Sequence, residues 1–215
     1  MSEAAVLGFV VAGQMIPREG ARMSVDLWTP GTTVSTGRLL LRPWEEGDVE
    51  DCWAAVHGDP EIGRWMPWAE DYTVETARDW CTVHAHANPR TSLNFAIVPQ
   101  DRSGSAPVGG PAVGSIGLTR FAAMARVPTV EIGYWLAAPA RGRGYMYEAV
   151  GALSVYAFET GAERVEILAA SGNEASQRVA LKCGFTREGT LRGAGRVTGG
   201  VVDLVVFGLL PGETP

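Results

Sequence analysis

The hydrophobic positions of this chain change period repeatedly, from the alternation of strands to the three-and-four spacing of helices, in the order of an α/β domain. Leu39 and Leu41 alternate with Arg38, Leu40 and Arg42, and the run stops at Pro43 as a first strand should. Helical spacing follows over residues 48–57 and 73–86. Strands are predicted at 92–99 and 113–121, separated by a Gly/Pro/Ser-rich stretch, 100–111, that reads as the long mobile loop of a hairpin. Residues 129–137 make the next strand. Met146, Ala149, Val150, Leu153 and Ala157 then recur at i, i+3, i+4, i+7 and i+11, so 144–159 is predicted to be a helix whose stripe packs on the sheet. A strand over 164–169, a helix over 173–183 closed by Gly184, and strands over 186–192 and 200–210 complete the pattern. There is no internal repeat and no linker between domains.

The segment 59–71 stands apart because Pro60 and Pro67 break it while Trp65, Met66 and Trp68 crowd together on it. Such a cluster reads either as core or as the wall of a binding pocket. Residues 1–35 precede the periodic pattern and are read as an N-terminal extension, with residues 36–215 as the domain. Met23 begins a plausible alternative start, so the extension is either a mis-assigned start or packed segment, or a partner-binding arm.

With 46% hydrophobic residues and a mean hydropathy of +0.04, the chain has the composition of an ordinary globule, and no apolar run approaches a membrane span. A net charge of −6 argues against general nucleic-acid binding, which needs a basic footprint, and suits a cationic or amine partner. Cys52, Cys81 and Cys183 show no metal-ligand spacing and are odd in number, so no metal site or disulfide framework is expected. Residues 5–13 are apolar but lack a positive flank, so no signal peptide is read, and a reducing cytoplasm is the expected compartment.

The chemistry concentrates in residues 131–148, EIGYWLAAPARGRGYMYE. A β-patterned run feeds an Arg/Gly-rich turn and a helix begins at once, which leaves a row of backbone N–H groups pointing outward, the geometry that cradles a pyrophosphate. No Gly-Lys-Ser/Thr follows Gly142 or Gly144, and the third glycine of a GxGxxG would fall on Tyr147, so two familiar phosphate loops are excluded. No Ser/His/Asp or Cys/His arrangement has a recognisable spacing. His57, His84 and His86 read as helix-surface or core residues.

Five motifs in register, TGRLLLRP at 36–43, the EIGYWL strand, the RGRGYM turn, Asn173-x-x-Ser176 and Cys183-Gly184-Phe185, resemble the RimJ/RimL-like branch of the GCN5-related N-acetyltransferase (GNAT) superfamily over roughly residues 36–210. The resemblance implies a mixed, mostly antiparallel sheet of six to seven strands flanked by about four helices, with a splayed central strand pair. It implies acetyl-CoA as cosubstrate, its pyrophosphate on Arg141, Gly142, Arg143, Gly144, Tyr145 and Met146, and its pantetheine arm along the backbone of Tyr134, Trp135, Leu136 and Ala137, with Asn173 also contacting CoA. Asn173 is equally a helix N-cap, and both roles can hold together.

By the same resemblance Glu131 is the candidate general base, and alternation puts it on the opposite face from Val130 and Ile132, toward either the cleft or solvent. Ser176 matches the serine near the leaving thiolate, and Trp65, Met66 and Trp68 lie in the region that shapes the acceptor site. Three positions depart from the pattern. Met146 stands where Gly or Ala is usual, Ala180 where many members carry a tyrosine, and Gly195 where RimL-like enzymes carry a second glutamate. The function implied is an N-acetyltransferase acting on a primary amine in a direct ternary complex. The acceptor is either a protein or peptide N-terminal α-amine or a small amine such as an antibiotic or polyamine. A non-catalytic CoA-binding module and a larger acyl donor remain open, the pocket around Met66, Trp68 and Trp135 having no size from sequence. A monomer or homodimer is expected, with no nucleic-acid or membrane partner.

Overall fold

The computed structural model describes residues 28–29, 31–88, 90–100, 110–120 and 127–213. Most of the expected loop at 100–111, both candidate starts and most of the expected extension lie outside the described residues. Strands are β1 Val34–Ser35, β2 Leu39–Arg42, β3 Ser92–Pro99, β4 Gly114–Arg120, β5 Thr129–Leu136, β6 Arg164–Ala170, β7 Thr186–Val197 and β8 Gly200–Leu209. Helices are α1 Val49–Val56, α2 Pro60–Trp65, α3 Val74–Thr82, α4 Tyr145–Glu159 and α5 Glu174–Lys182. The strands form one sheet in the order β1-β2-β3-β4-β5-β6-β8-β7, antiparallel except between β5 and β6. The eighth strand over the expected six to seven is the two-residue β1, too short to carry a periodic signal.

Period-two alternation splits the core into two layers, one on each side of the sheet. Val130 and Ile132 of β5 share one apolar cluster with Met146, Ala149, Val150, Leu153 and Ala157 of α4 and with Ala180 of α5. Trp135 points the other way, into a cluster with Trp44, Cys52 of α1, Ala77 and Cys81 of α3, and Ala96 and Val98 of β3. The stripe read on α4 is thus the stripe that packs. Upstream of residue 36, Trp28 is already buried, donating from Nε1 to Thr160 at 3.3 Å beneath the Arg120 guanidinium.

Side-chain chemistry explains several boundaries. Pro60 opens α2, because the first helical position needs no N–H and Asp59 caps it by accepting from the amides of Glu61 and Ile62. The expected helix over 73–86 divides into α3 and a 3-10 turn at His84–His86. The strand expected at 186–192 runs to Val197, with register breaks between Arg187 and Gly189 and between Leu191 and Gly195 that disguise its periodicity.

Candidate active site

β5 and β6 run side by side only briefly. Their register covers Thr129↔Arg164, Val130↔Val165 and Glu131↔Glu166, although β5 continues to Leu136 and β6 to Ala170. Beyond Glu131 the two strands diverge, so the β6-facing edge of residues 132–136 has no strand partner while the other edge stays paired to β4 as far as Gly114↔Leu136. This is the central splay, and it leaves an open backbone edge along Tyr134, Trp135 and Leu136, as expected from the sequence. Leu136 and Ala137 are partly engaged: the Leu136 carbonyl accepts from Arg141 Nε at 3.0 Å, and Ala137 N–H donates to Val113. The Trp135 ring is buried against Trp44 at 6.1 Å and so contributes core, with only its backbone near the splay.

At the end of β5 the chain passes through a 3-10 turn, Ala138–Ala140, into the glycine turn and α4. Gly142 and Gly144 have φ of +74° and +76°, a region costly for residues with a Cβ, and Gly144 is the N-cap of α4. No side chain caps that helix, whereas α2, α3 and α5 are capped by Asp59, Thr73 and Asn173. As at α1, the first-turn amides of this 15-residue helix have no side-chain partner, and the helix dipole there favours negative charge. A Cβ on Gly142 would meet nothing within 4 Å, so the approach is open. Met146 does not crowd the turn; its side chain is buried with the α4 stripe.

The arginines of the turn divide their work. The Arg141 guanidinium is tied to Leu136 O and to Asp59 at 2.6 Å, which anchors the turn to α2 rather than leaving a free cation. Arg143 is exposed. No local pattern assigns a role to Arg38 or Glu148, and the structure joins them. Glu148 accepts from Thr36 Oγ1, from Arg38 N at 2.8 Å and from Arg38 Nε at 2.7 Å, while Arg38 Nη1 donates to the Arg143 carbonyl at 3.0 Å and the guanidinium lies over the Tyr145 ring. Burial alone would raise the Glu148 carboxyl; the hydrogen bonds from Thr36 and Arg38 outweigh it and hold the group below the ordinary carboxylate range. Arg38 thus straps the turn in place. The signal was present in the TGRLLLRP motif, but its partner lies 110 residues away. A cavity of about 700 Å³ abuts the outer side of the turn, lined among others by His57, Asp59, Arg141, Arg143 and Tyr145, and neither Glu131 nor Ser176 lines it.

Glu131 occupies the last paired position before the splay, and it is only 4% exposed. Its Oε2 is buried with no hydrogen-bond partner among the described residues. Burial, and secondarily the charge of Glu166 on the neighbouring strand, push its carboxyl from an ordinary value of about 4.5 up to about 8. Glu166 is itself held by Arg164 at 2.7 Å, which also binds Glu188 of β7 at 2.8 Å. Two residues along β5 on the same face, Gly133 is exposed, and a Cβ there would meet nothing within 4 Å. A carboxyl with one unpartnered oxygen among the described residues therefore sits beside open space.

Across the splay, Asn173 caps α5 by accepting from Ser176 N–H at 3.1 Å. Ser176 is half-buried, and its Oγ lies 3.0 Å from the Tyr134 hydroxyl, which also donates toward the Ser176 carbonyl at 3.2 Å. Ala180 is fully buried in the core and brings no polar group. At Gly195 a Cβ would come within 2.5 Å of Leu204 Cδ2, so a larger residue there would have to displace packed leucine. Of the aromatic cluster, Trp65 lies against Gly172 in the loop before α5, with 3.3 Å between its ring and a Cβ built there, while Met66 and Trp68 pack on the α1/α3 core. Thr198, at the β7–β8 turn, bonds the Gly63 carbonyl of α2, so α2 spans from the turn arginine to the far hairpin. His57 stacks on Trp53, and the His86 ring bonds Cys81 O, both structural roles.

Residues 38–186 match the acetyltransferase (GNAT) domain family. YdaF of Bacillus subtilis, a proposed ribosomal N-acetyltransferase, is 31% identical over 165 residues, covering 74% of this chain and 82% of its own. Among solved structures, RimL, a ribosomal L7/L12 α-N-protein acetyltransferase in complex with coenzyme A, aligns with a TM-score of 0.69 at 20% identity over 83% of this chain and 98% of its own. RimJ of Mycobacterium smegmatis, in complex with a CoA disulfide, aligns with a TM-score of 0.69 at 22% identity over 86% of this chain and 88% of its own. At those identities the two structures speak to the fold, while the domain match spans well over half the chain. The chain belongs to the GNAT acetyltransferases.

Proposed function

We propose that this N-acetyltransferase transfers an acetyl group from acetyl-CoA to a primary α-amine, the N-terminus of a protein or peptide, by direct attack in a ternary complex. The observation that carries this reading is Glu131, a buried carboxyl with an unpartnered oxygen at the point where the sheet opens, next to the unfilled space over Gly133. An ammonium group entering that space would supply the missing partner and give up its proton to the same oxygen.

The proton balance favours an α-amine. An α-ammonium ionises at about 7.7 to 8.0, so its proton passes to a carboxyl lifted to about 8 with little change in free energy. A lysine ammonium near 10.4 would pass its proton uphill by roughly 3 kcal/mol. A carboxylate at its ordinary value would be too weak a base for either.

The uncapped start of α4 and the Gly142–Gly144 turn suit a pyrophosphate, and the unpaired edge of β5 at Tyr134 to Leu136 suits an extended amide chain added like a strand. When bound, acetyl-CoA supplies a thioester carbonyl that an amine attacks directly, the C–N bond forming as the C–S bond breaks and the electron pair leaving on sulfur. Glu131 takes the proton of the entering ammonium, the neutral amine attacks, and the proton its nitrogen sheds once the C–N bond has formed passes to the departing sulfur, to which Ser176 donates a hydrogen bond. The test is a mass-spectrometric comparison of peptides with free and blocked N-termini, each carrying an internal lysine. Acetylation confined to the free N-terminus is expected; modification of lysine in the blocked peptides, or of polyamines and antibiotics alone, would overturn the α-amine assignment.

A further inference from the structure

Ser176 sits in the first turn of α5, where a serine hydroxyl ordinarily folds back onto the carbonyl three or four residues earlier, here Asn173 or Gly172. A hydroxyl engaged in that way has its proton consumed by the helix. In this structure Ser176 Oγ instead lies 3.0 Å from the Tyr134 hydroxyl, and that phenol also bonds the Ser176 carbonyl at 3.2 Å. The ring arrives from β5, 42 residues away in sequence, and crosses from one side of the splay to the other.

We infer that Tyr134 is a positioning residue for the transfer: its phenol holds Ser176 away from its own helix and, by donating to Oγ, leaves the serine proton free to face the departing sulfur. A phenol has one proton to give. When it donates to the Ser176 carbonyl, the serine proton can rest on the phenol oxygen; when it donates to Oγ, the serine proton is released for another acceptor. A thiolate forming in the splay is a charged acceptor and favours the second arrangement. Burial pushes the phenol well above its ordinary ionisation range, so it stays a donor at every working pH. The other titratable groups around this pair are the buried Cys183 thiol, raised to about 11 by burial, Glu174 in the first turn of α5, and Lys182, whose ammonium lies over the Tyr147 ring. The Cys183 thiol stays neutral between pH 6 and pH 9 and so does not imitate the phenol's effect.

The position of the pair also supplies a phenol by a different route. The place four residues beyond Ser176 is the fully buried Ala180, so a tyrosine hydroxyl cannot come from α5. It comes from the sheet.

This inference rests on the reading of Ser176 as the donor to sulfur, and the experiment separates the two. Free coenzyme A is bound to wild type, Ser176→Ala, Tyr134→Phe and the double variant, and the ionisation of its thiol is followed by ultraviolet thiolate absorbance against pH. Calorimetric affinity for acetyl-CoA and melting temperature are measured on the same proteins. Ser176→Ala and Tyr134→Phe should each raise the bound thiol's pKa by about one to two units, the double variant by no more than either, with acetyl-CoA affinity within about threefold. If Ser176→Ala shifts the thiol and Tyr134→Phe does not, the positioning role is overturned and the serine assignment stands. If neither shifts it, both fail. A loss of melting temperature in Tyr134→Phe without a shift in thiol acidity makes the contact a packing feature only and also overturns the inference.

Discussion

Replacing Glu131 by glutamine keeps the shape of the buried carboxyl and removes its proton equilibrium. In the folded protein the group binds its proton with a pKa of about 8 against an ordinary 4.5, because burial disfavours the charged form. Below pH 4.5 the acid is neutral in both folded and unfolded chains, and the variant should match wild type within about 1 kcal/mol. Between pH 4.5 and 8 the folded state holds a proton that the unfolded state has lost, so wild-type stability falls with rising pH, by about 1.4 kcal/mol per unit. Above pH 8 the folded protein carries a buried anion and the loss is complete, on the order of 5 kcal/mol. Glutamine never ionises and escapes this loss, so the variant should become the more stable protein as pH rises, by roughly 10 °C in melting temperature for a domain of this size. Melting curves of both proteins from pH 4 to 9 measure the difference directly. Activity should move the opposite way, with wild-type kcat rising through pH 8 and the variant lower by about 10² at that pH. A stability difference that stays flat across the window would refute the burial of the proton. A rising difference with undiminished turnover would keep the buried acid and refute its role as base.

Three further outcomes follow from contacts at the site. Arg38→Ala removes the strap between Glu148 and the Arg143 carbonyl; calorimetry should show acetyl-CoA affinity reduced about tenfold, while stability changes by about 1 kcal/mol or less because the arginine is half exposed. Gly133→Leu fills the open space beside Glu131 at a position where a Cβ meets nothing, and should raise the acceptor KM about tenfold or more with acetyl-CoA affinity unchanged in the same titration. Gly195→Glu should lower the melting temperature, by about 1 to 3 kcal/mol in stability, with no gain in kcat, since its Cβ would press on Leu204.

The parts of this molecule that were legible in the sequence are those fixed by neighbours along the chain. The α4 stripe, the glycines of the turn and the Asn173 cap are local, each needing only a helix period or a turn geometry to recognise. Met146 looked out of place at the turn and in place on the stripe; both readings concerned one residue, and core burial decided between them. Glu131 was legible by half. Alternation set it opposite Val130 and Ile132, but its burial and its pairing beside Glu166 of β6 are tertiary, and sequence does not join those strands. Pro60 was read as a breaker when it is a helix start, because the same fixed φ serves both and only the cap at Asp59 tells them apart. The Arg38–Glu148 strap and the Tyr134–Ser176 pair span 110 and 42 residues, and no periodic signal links such positions.

One interruption ties these features together. Continuing the β5–β6 ladder past Glu131 would add backbone hydrogen bonds worth about 1 kcal/mol each, and the fold forgoes them. Polar groups stand on both sides of the break: Arg164 with Glu166 and Glu188 on one face, and Tyr134 with Ser176 on the other. On its other edge β6 stays fully paired to β8, from Val165↔Leu209 to Ala170↔Leu204, so the strand is anchored while its β5 side is open. The divergence leaves Glu131 as the last residue paired to β6 and Gly133, still paired to β4, as the first residue on the same face with no β6 partner. With Glu131 acting as the proposed base, a buried carboxyl needs the position beside β6 for its raised proton affinity, and an incoming amine needs the open one to reach it. Moving the break by two residues in either direction would therefore cost one of the two: earlier, and the carboxyl becomes solvated and weakly basic; later, and it is sealed away from any acceptor.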